Sequence, residues 1–397
     1  MTGSTAPDTR ARTVPDDRTT VVVITHNRRD ELLRTLGLLR RLPERPRVIV
    51  TDNGSTDGTA EAVARDFPEM ILLRPGRNLG AIGRNLAVQQ VRTPYVAFCD
   101  DDTWWEPGSL PRAADLLDTR PRLAAVTARI IVEPDGTEDP VVRELRESPL
   151  SGPDWLPGPA LGSFLAGATV LRTEAFRAGG GFHPGLWLGG EEELLACDLQ
   201  RRGWWLAYAE DLTVHHHASV LRDSTARRVL GLRNTLWFTW LRRPLLPALR
   251  RTGHLARTVP RDAASVRAFA HAAAGLPWVL RHRDPVPPDL EHRLAALERA
   301  RAGTHPHGGT SAEIRDGTTR QGDVVAPADG RGHSESPGQD ATGRSLRPAQ
   351  EARSPWNPDH SRTAVSRPRP ASAPAVPPRC SSRPCTSTAP DWVPSAS

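Results

Sequence analysis

The chain has 397 residues, a formal net charge of +6 and no lysine, so all 52 of its basic residues are arginine. Length leaves room for two or three domains, but residues 302–397 are dominated by Pro, Ser, Arg, Gly, Thr and Asp, with only scattered large apolar residues such as Trp356, Val365 and Trp392. Such a segment cannot bury enough apolar surface to offset its chain entropy, so it is expected to be disordered, as are residues 1–18. Roughly 280 residues remain, ample for one sizeable core. The arginines are spread along the chain and are not interleaved with aromatics on one patch, which argues against nucleic acid as a partner. Cys99 and Cys197 fall in apparent core elements, and Cys380 and Cys385 in the tail. Their spacing suits no metal, and the pattern fits a reducing compartment. Residues 1–17 lack the apolar stretch of a signal peptide, and no apolar run is long enough to span a bilayer. The expected location is the cytoplasm.

From Thr19 onward, strand-like and helix-like patterns alternate. Residues 20–24 are a β-branched run of the kind found in strands covered on both faces. Leu32, Leu33, Leu36, Leu39 and Leu42 then recur at helical spacing within 30–42. Strands are predicted at 47–50, 70–73, 95–99 and 123–132, and helices at 59–67, 78–91 and 110–117. Strands alternating with helices at this spacing imply an α/β fold with a mostly parallel, Rossmann-like sheet flanked by helices. Residues 133–159, rich in Pro and Gly, are expected to be a long loop. A strand at 163–171, a helix at 191–202 and a last strand at 205–214, ending in His215, His216 and His217, complete the unit.

In parallel sheets ligands sit beyond the carboxyl ends of the strands. Thr25-His26-Asn27, Asp52-Asn53 and Asp100-Asp101-Asp102 all fall on that edge. Three like charges at a strand end repel unless something cationic sits among them. Mg²⁺ is usually held by one or two carboxylates plus substrate phosphates. The aspartates therefore read as half of a metal-diphosphate site. Trp104 and Trp105, just after them, can stack on a sugar ring or belong to the core. Glu191, Glu192 and Glu193 open a helix behind Gly189-Gly190; they suit the helix dipole and also stand where backbone can approach a ligand closely.

The ordered series Val-Val-Ile-Thr25-His26-Asn27-Arg28, Thr51-Asp52-Asn53-Gly54-Ser55, Asn78-Leu79-Gly80 with Arg84-Asn85, and Phe98-Cys99-Asp100-Asp101-Asp102 resembles glycosyltransferase family 2 of the GT-A fold, over about Thr19 to Ser219. Gly190-Glu191-Glu192-Glu193, Gly203, Tyr208 and His216 continue the match. The resemblance implies an inverting, metal-dependent transfer of a hexosyl or deoxyhexosyl group from a nucleoside-diphosphate sugar, in the biosynthesis of cell wall or other polysaccharide. Asp100 and Asp102 would bind the Mn²⁺ or Mg²⁺ ion and the ribose-phosphate, with Asp101 pointing away. Asp52 would contact the nucleobase, with Thr25 and Asn27 beside it, and Arg84 would reach the diphosphate. Asp52-Asn53-Gly54 is also a good turn in its own right, and Arg84 also suits a solvated helix position. Glu192 takes the place of the family's usual Asp as general base, with Glu191 and Glu193 as alternatives. His216 aligns with a histidine near the metal or diphosphate; strand alternation sets it opposite His215 and His217. Leu194 and Asp198 depart from the family, standing where an acid and an Arg are common.

The catalytic domain is thus expected over 19–222, with a helical extension over 223–301 ahead of the tail. Within 225–250, Val229, Leu232, Leu236, Trp237, Trp240 and Leu241 recur at helical spacing between arginines. Such a face suits a membrane interface or packing on the catalytic domain. Further helices are predicted at 263–280 and 290–300. A lipid contact would make the enzyme peripheral at the inner face of the cell membrane and its acceptor lipid-linked; otherwise a glycan or small-molecule acceptor fits. Two other functions compete. A nucleotidyltransferase would carry a Gly-rich basic loop after the first strand, where Thr25-His26-Asn27-Arg28 stands. A non-catalytic sugar-nucleotide or glycan-binding protein would retain the fold without the base.

Overall fold

The computed structural model describes residues 16–217 and 224–304. Of the segments expected to be disordered, 1–18 and 302–397, residues 1–15 and 305–397 lie outside the described residues, as do the boundary at 222/223 and Cys380 and Cys385. Residues 16–18 are instead held by the Arg18 ion pairs with Asp16 and Asp115, and 302–304 close the last helix. In chain order the first half comprises β1 (Thr19–Thr25), α1 (Arg29–Arg40), β2 (Arg47–Asp52), α2 (Thr59–Asp66), β3 (Ile71–Leu73), α3 (Gly83–Gln90), β4 (Tyr95–Cys99) and β5 (Thr103–Trp105). There follow α4 (Ser109–Asp118), β6 (Leu123–Val132), β7 (Thr137–Glu138), α5 (Pro140–Arg146), β8 (Thr169–Arg172), α6 (Thr173–Ala178), α7 (Glu191–Arg201) and β9 (Trp205–His216). The chain continues as α8 (Ser224–Arg242), α9 (Leu245–Thr258), α10 (Ala263–Ala274), α11 (Leu276–Arg281) and α12 (Pro288–Thr304).

The strands form one sheet in the order β3-β2-β1-β4-β8-β6-β9-β5, with β7 beside β6. The four N-terminal strands are parallel. β8 runs antiparallel between β4 and β6, and the long β6–β9 ladder is parallel again. β1 and β4 are buried almost throughout, as expected for strands covered by helices on both faces. Parallel pairing of β1 with both β2 and β4 brings the ends of all three strands to one edge. That edge is where the polar loops gather.

Several predicted elements change. Residues 133–159 are not a continuous loop, because β7 and α5 lie within them. α5 starts where the Asp139 side chain accepts from the Val141 N–H at 2.9 Å, with Pro140 just inside the helix. The strand predicted at 163–171 begins only at Thr169, after a 3-10 turn at Ala166–Ala168. β5, α6 and the 3-10 turn at Gly80–Ile82 are too short for their periodicity to register. The helix predicted over 225–250 divides into α8 and α9 at Pro244, which lacks an N–H to continue the ladder. The one predicted over 263–280 divides at Gly275, against which the Trp237 indole packs.

A second apolar core lies apart from the sheet. Val229, Leu232, Leu236, Trp237 and Leu241 of α8 bury against Leu186, Leu194 and Cys197, with Ala268, Val279 and Leu290 around them. The apolar stripe that suited a membrane is thus the seam joining the helical extension to α7. Among the described residues no helix is long and apolar enough to cross a membrane.

Candidate active site

β4 delivers the three aspartates, and the turn after them folds straight into β5. β5 pairs antiparallel with the end of β9, setting Thr103 opposite His216 and Trp104 opposite His215. Each aspartate faces a different partner. Asp100 is half-exposed and pairs with the buried guanidinium of Arg84. Asp101 turns inward: its Oδ2 accepts from Thr25 Oγ1 at 3.0 Å, and Arg28 lies 3.1 Å from Oδ1. Asp102 has Arg28 at 3.0 Å from Oδ2 and His216 Nε2 at 3.8 Å from Oδ1.

Two arginines therefore sit among the three like charges. Arg28 closes the first motif, and its place in the sequence assigns it no role. The signal that could have found it is electrostatic: an inward acid needs a cation nearby. Burial pushes the Asp101 carboxyl up to about 7, opposed by Arg28 and reinforced by the charges of Asp102 and Asp100. Burial works against the Arg28 cation, but Asp101 and Asp102 outweigh it and hold its pKa above the ordinary value.

Gly167 stands at the centre of the arrangement. A Cβ there would come within 2.8 Å of Asp100 Oδ2, so the backbone approaches the carboxylate as only glycine allows. The Gly167 carbonyl accepts from Thr103 Oγ1 at 3.2 Å. Its neighbour Ala166 donates its N–H to Glu192 Oε1 at 2.9 Å. One short turn thus touches both the aspartate motif and the first turn of α7. Glu191 and Glu192 are both buried there, and Glu193 is partly exposed.

The loop before α7 is held from two sides. Asn234 of α8, wholly buried, donates Nδ2 to the carbonyls of Leu186 (2.8 Å), Leu188 (3.0 Å) and Gly189. On the other side the Ala81 N–H donates to the Trp187 carbonyl at 2.8 Å. Trp187 takes the left-handed φ of 59° that bulky residues rarely adopt. Asp198, at a position where the resemblance leads one to expect Arg, accepts from Nε and Nη2 of Arg242 at 2.6 and 2.8 Å, locking α7 to α8.

The remaining predicted residues form the adjoining part of the edge. Asp52 is buried, and its Oδ1 accepts from the Ser55 N–H at 2.9 Å, closing a turn. Asn27 is exposed at φ 53° and accepts from the Thr56 N–H at 2.8 Å. Thr25 is buried with its hydroxyl committed to Asp101, so its side chain supports the aspartate loop from within. His215 stacks on Trp104 with ring centroids 5.4 Å apart and lies 2.8 Å from Glu133, on the face away from His216. Trp105 is core and Trp104 only partly buried. Among the described residues no group of three or more His, Cys, Asp and Glu is arranged to hold a metal ion.

A four-stranded parallel start, an aspartate motif at the end of β4 and an acidic helix start joined to it through the Ala166–Ala168 turn are the features of a glycosyltransferase of the GT-A type. Residues 20–178 match the model of glycosyl transferase family 2. It is 29% identical to the N-acetylglucosaminyl-diphospho-decaprenol L-rhamnosyltransferase of Mycobacterium tuberculosis, over 58% of this chain and 88% of that protein. It is 30% identical to the pre-mycofactocin glycosyltransferase of the same organism, over 53% of this chain and 45% of the relative. Among solved structures it is similar to a mannosyltransferase from Pyrobaculum calidifontis in complex with GDP-mannose and Mn²⁺. The TM-score is 0.45 at 20% identity, covering 77% of this chain and 81% of that one.

Proposed function

We propose that this glycosyltransferase moves a deoxyhexose from a nucleoside-diphosphate sugar to a hydroxyl of a lipid-linked sugar, with inversion at the anomeric carbon and a divalent cation at the donor. The observation that carries this reading is the Ala166–Ala168 turn, which backs Asp100 through Gly167 and orients Glu192 through the Ala166 N–H. Donor arm and base are thereby fixed against one backbone segment, the positioning that a direct displacement requires. The named rhamnosyltransferase relative supports the sugar and acceptor class and a place in cell-wall synthesis. If the acceptor is embedded in a membrane, the enzyme works peripherally at its surface.

In the proposed reaction the acceptor oxygen forms a bond to the anomeric carbon while the bond from that carbon to the diphosphate oxygen breaks. Glu192 takes the acceptor's proton, and its Oε1 is kept in place by the Ala166 amide. Asp52 and Asn27 lie at the strand edge where the nucleoside would sit. Arg84, beside Asp100, offers a guanidinium to the departing diphosphate. Asp100, Asp102 and His216 do not form a closed metal set by themselves. With substrate phosphates present, the Asp102 carboxylate and the His216 imidazole would hold Mn²⁺ or Mg²⁺, and Asp100 would join them on turning from Arg84. The convergence of Asp102 and His216 to 3.8 Å supports that fit. When bound, the cation would offset charge on the leaving diphosphate.

The test is transfer from a panel of nucleotide sugars to a polyprenyl-diphosphate N-acetylglucosamine acceptor, with Mn²⁺ and with chelator. Glu192→Gln is expected to lower the rate about 10²–10⁴-fold while leaving nucleotide binding intact. The product's anomeric configuration should be opposite to the donor's. Donor binding without turnover, unchanged by Glu192→Gln, would instead favour a binding protein.

A further inference from the structure

With the stripe on α8 buried, the exposed leucines of this region cluster on the next helix, while Val266 of α10 and Leu280 of α11 are exposed singly. Leu245, Leu246 and Leu249 of α9 are 60%, 56% and 51% exposed. At 100° per residue the outward face of α9 divides in two: these leucines along one side, Arg250, His254 and Arg257, all exposed, along the other. The inward face is already committed. Ala248 and Leu255 are buried, and Arg251 pairs with Glu298 of α12.

The charge around this face has one sign. From Ala226 to Arg261 the sequence has nine arginines and no Asp or Glu, and Asp262 is the only acid before Asp284. Asp262 is itself paired with Arg228. Arg242 and Arg243 are drawn inward to Asp198 and Glu291. Arg250 and Arg257, by contrast, have no carboxylate partner among the described residues. A helix with clustered leucines on one side, cations on the other and no acid on either has the composition of one that lies in a lipid interface. Arginines beside the headgroups add attraction to anionic lipid.

We propose that α9 is a membrane-docking element, seating Leu245, Leu246 and Leu249 among the acyl chains of an anionic bilayer while Arg250 and Arg257 meet its headgroups. For its purpose this rests on the lipid-linked acceptor reading, since docking would bring the site to an acceptor confined to the bilayer. The adsorption itself needs no substrate. The experiment is co-flotation of the full chain with vesicles of phosphatidylcholine alone or containing phosphatidylglycerol. Binding is expected on the anionic vesicles, weakening as salt rises, and falling about ten-fold in Leu245→Ser/Leu246→Ser/Leu249→Ser. Circular dichroism and melting of the variant should match the parent, because the replaced side chains are exposed. No binding to anionic vesicles, equal binding to neutral ones, or binding unaffected by the triple variant overturns the proposal. So does a parent that sediments as a dimer and a variant that sediments as a monomer, which would assign the face to a second copy. Transfer to a short-chain, water-soluble acceptor separates the two readings: its loss counts against the enzymatic assignment, whereas full activity with no vesicle binding counts against docking alone.

Discussion

Asn234 offers the sharpest test of how the helical extension serves the catalytic domain. Its amide is oriented unambiguously: Arg233 Nε donates to Oδ1 at 2.9 Å, so Nδ2 must face the three carbonyls of 186–189. Two amide hydrogens can satisfy two of those carbonyls at a time. Leu186 O also accepts from the Leu188 N–H at 2.7 Å and keeps that partner when the amide is removed. Asn234→Ala therefore strands the partly buried carbonyls of Leu188 and Gly189, at about 1–2 kcal/mol each, for a total near 2–4 kcal/mol. In a folded unit of this size that corresponds to a fall in Tm of roughly 5–10 °C. The loop it holds ends at Gly190, the residue that starts α7 and places Glu191 and Glu192. A displacement of about 1 Å there is enough to cost roughly 10²-fold in rate. Asn234→Asp keeps the shape but turns an acceptor toward the same carbonyls, and should be no better. The assay is initial transfer rate alongside a melting curve, with nucleotide binding as the control for an intact donor side. An Asn234→Ala protein with parental Tm and rate would refute the strap.

Three further outcomes follow from particular contacts. Gly167→Ala forces the flexible, half-exposed Asp100 carboxylate aside. Tm should change little while transfer falls ten-fold or more, as read by rate against melting. Asp198→Ala leaves Arg242 buried without its paired carboxylate and should cost about 3 kcal/mol in urea unfolding. His183 stacks on Trp278 at 5.3 Å; burial lowers its pKa, helped by the positive charges of His282 and Arg242 and opposed by Asp198. The unfolded chain then binds more protons as pH drops below about 6.5, so this residue's contribution is present at neutral pH and lost on acidification. His183→Phe should flatten the pH dependence of Tm between neutral and pH 5. A dependence unchanged by the substitution would show that the histidine does not titrate on unfolding.

The strands that place the site are legible because each is locally self-sufficient. Residues 95–99 and 123–132 are apolar runs whose burial on both faces needs no knowledge of their neighbours, and the structure gives them those same limits. The motif order from Thr25 to Asp102 likewise carries the family, since the spacing of polar residues after strands is a property of the chain. What joins the motifs is not local. Arg28 meets Asp101 across more than seventy residues, Ala166 meets Glu192, and Asn234 meets Gly189. No periodicity encodes such pairs, because each exists only once the sheet has brought its loops to one edge. The helical extension makes the same point in reverse. The sequence determined that residues 229–241 form an amphipathic helix, but amphipathicity fixes only that one face must leave water. Packing decided that the face meets Leu194 and Cys197 of α7, and left the leucines of α9 outside.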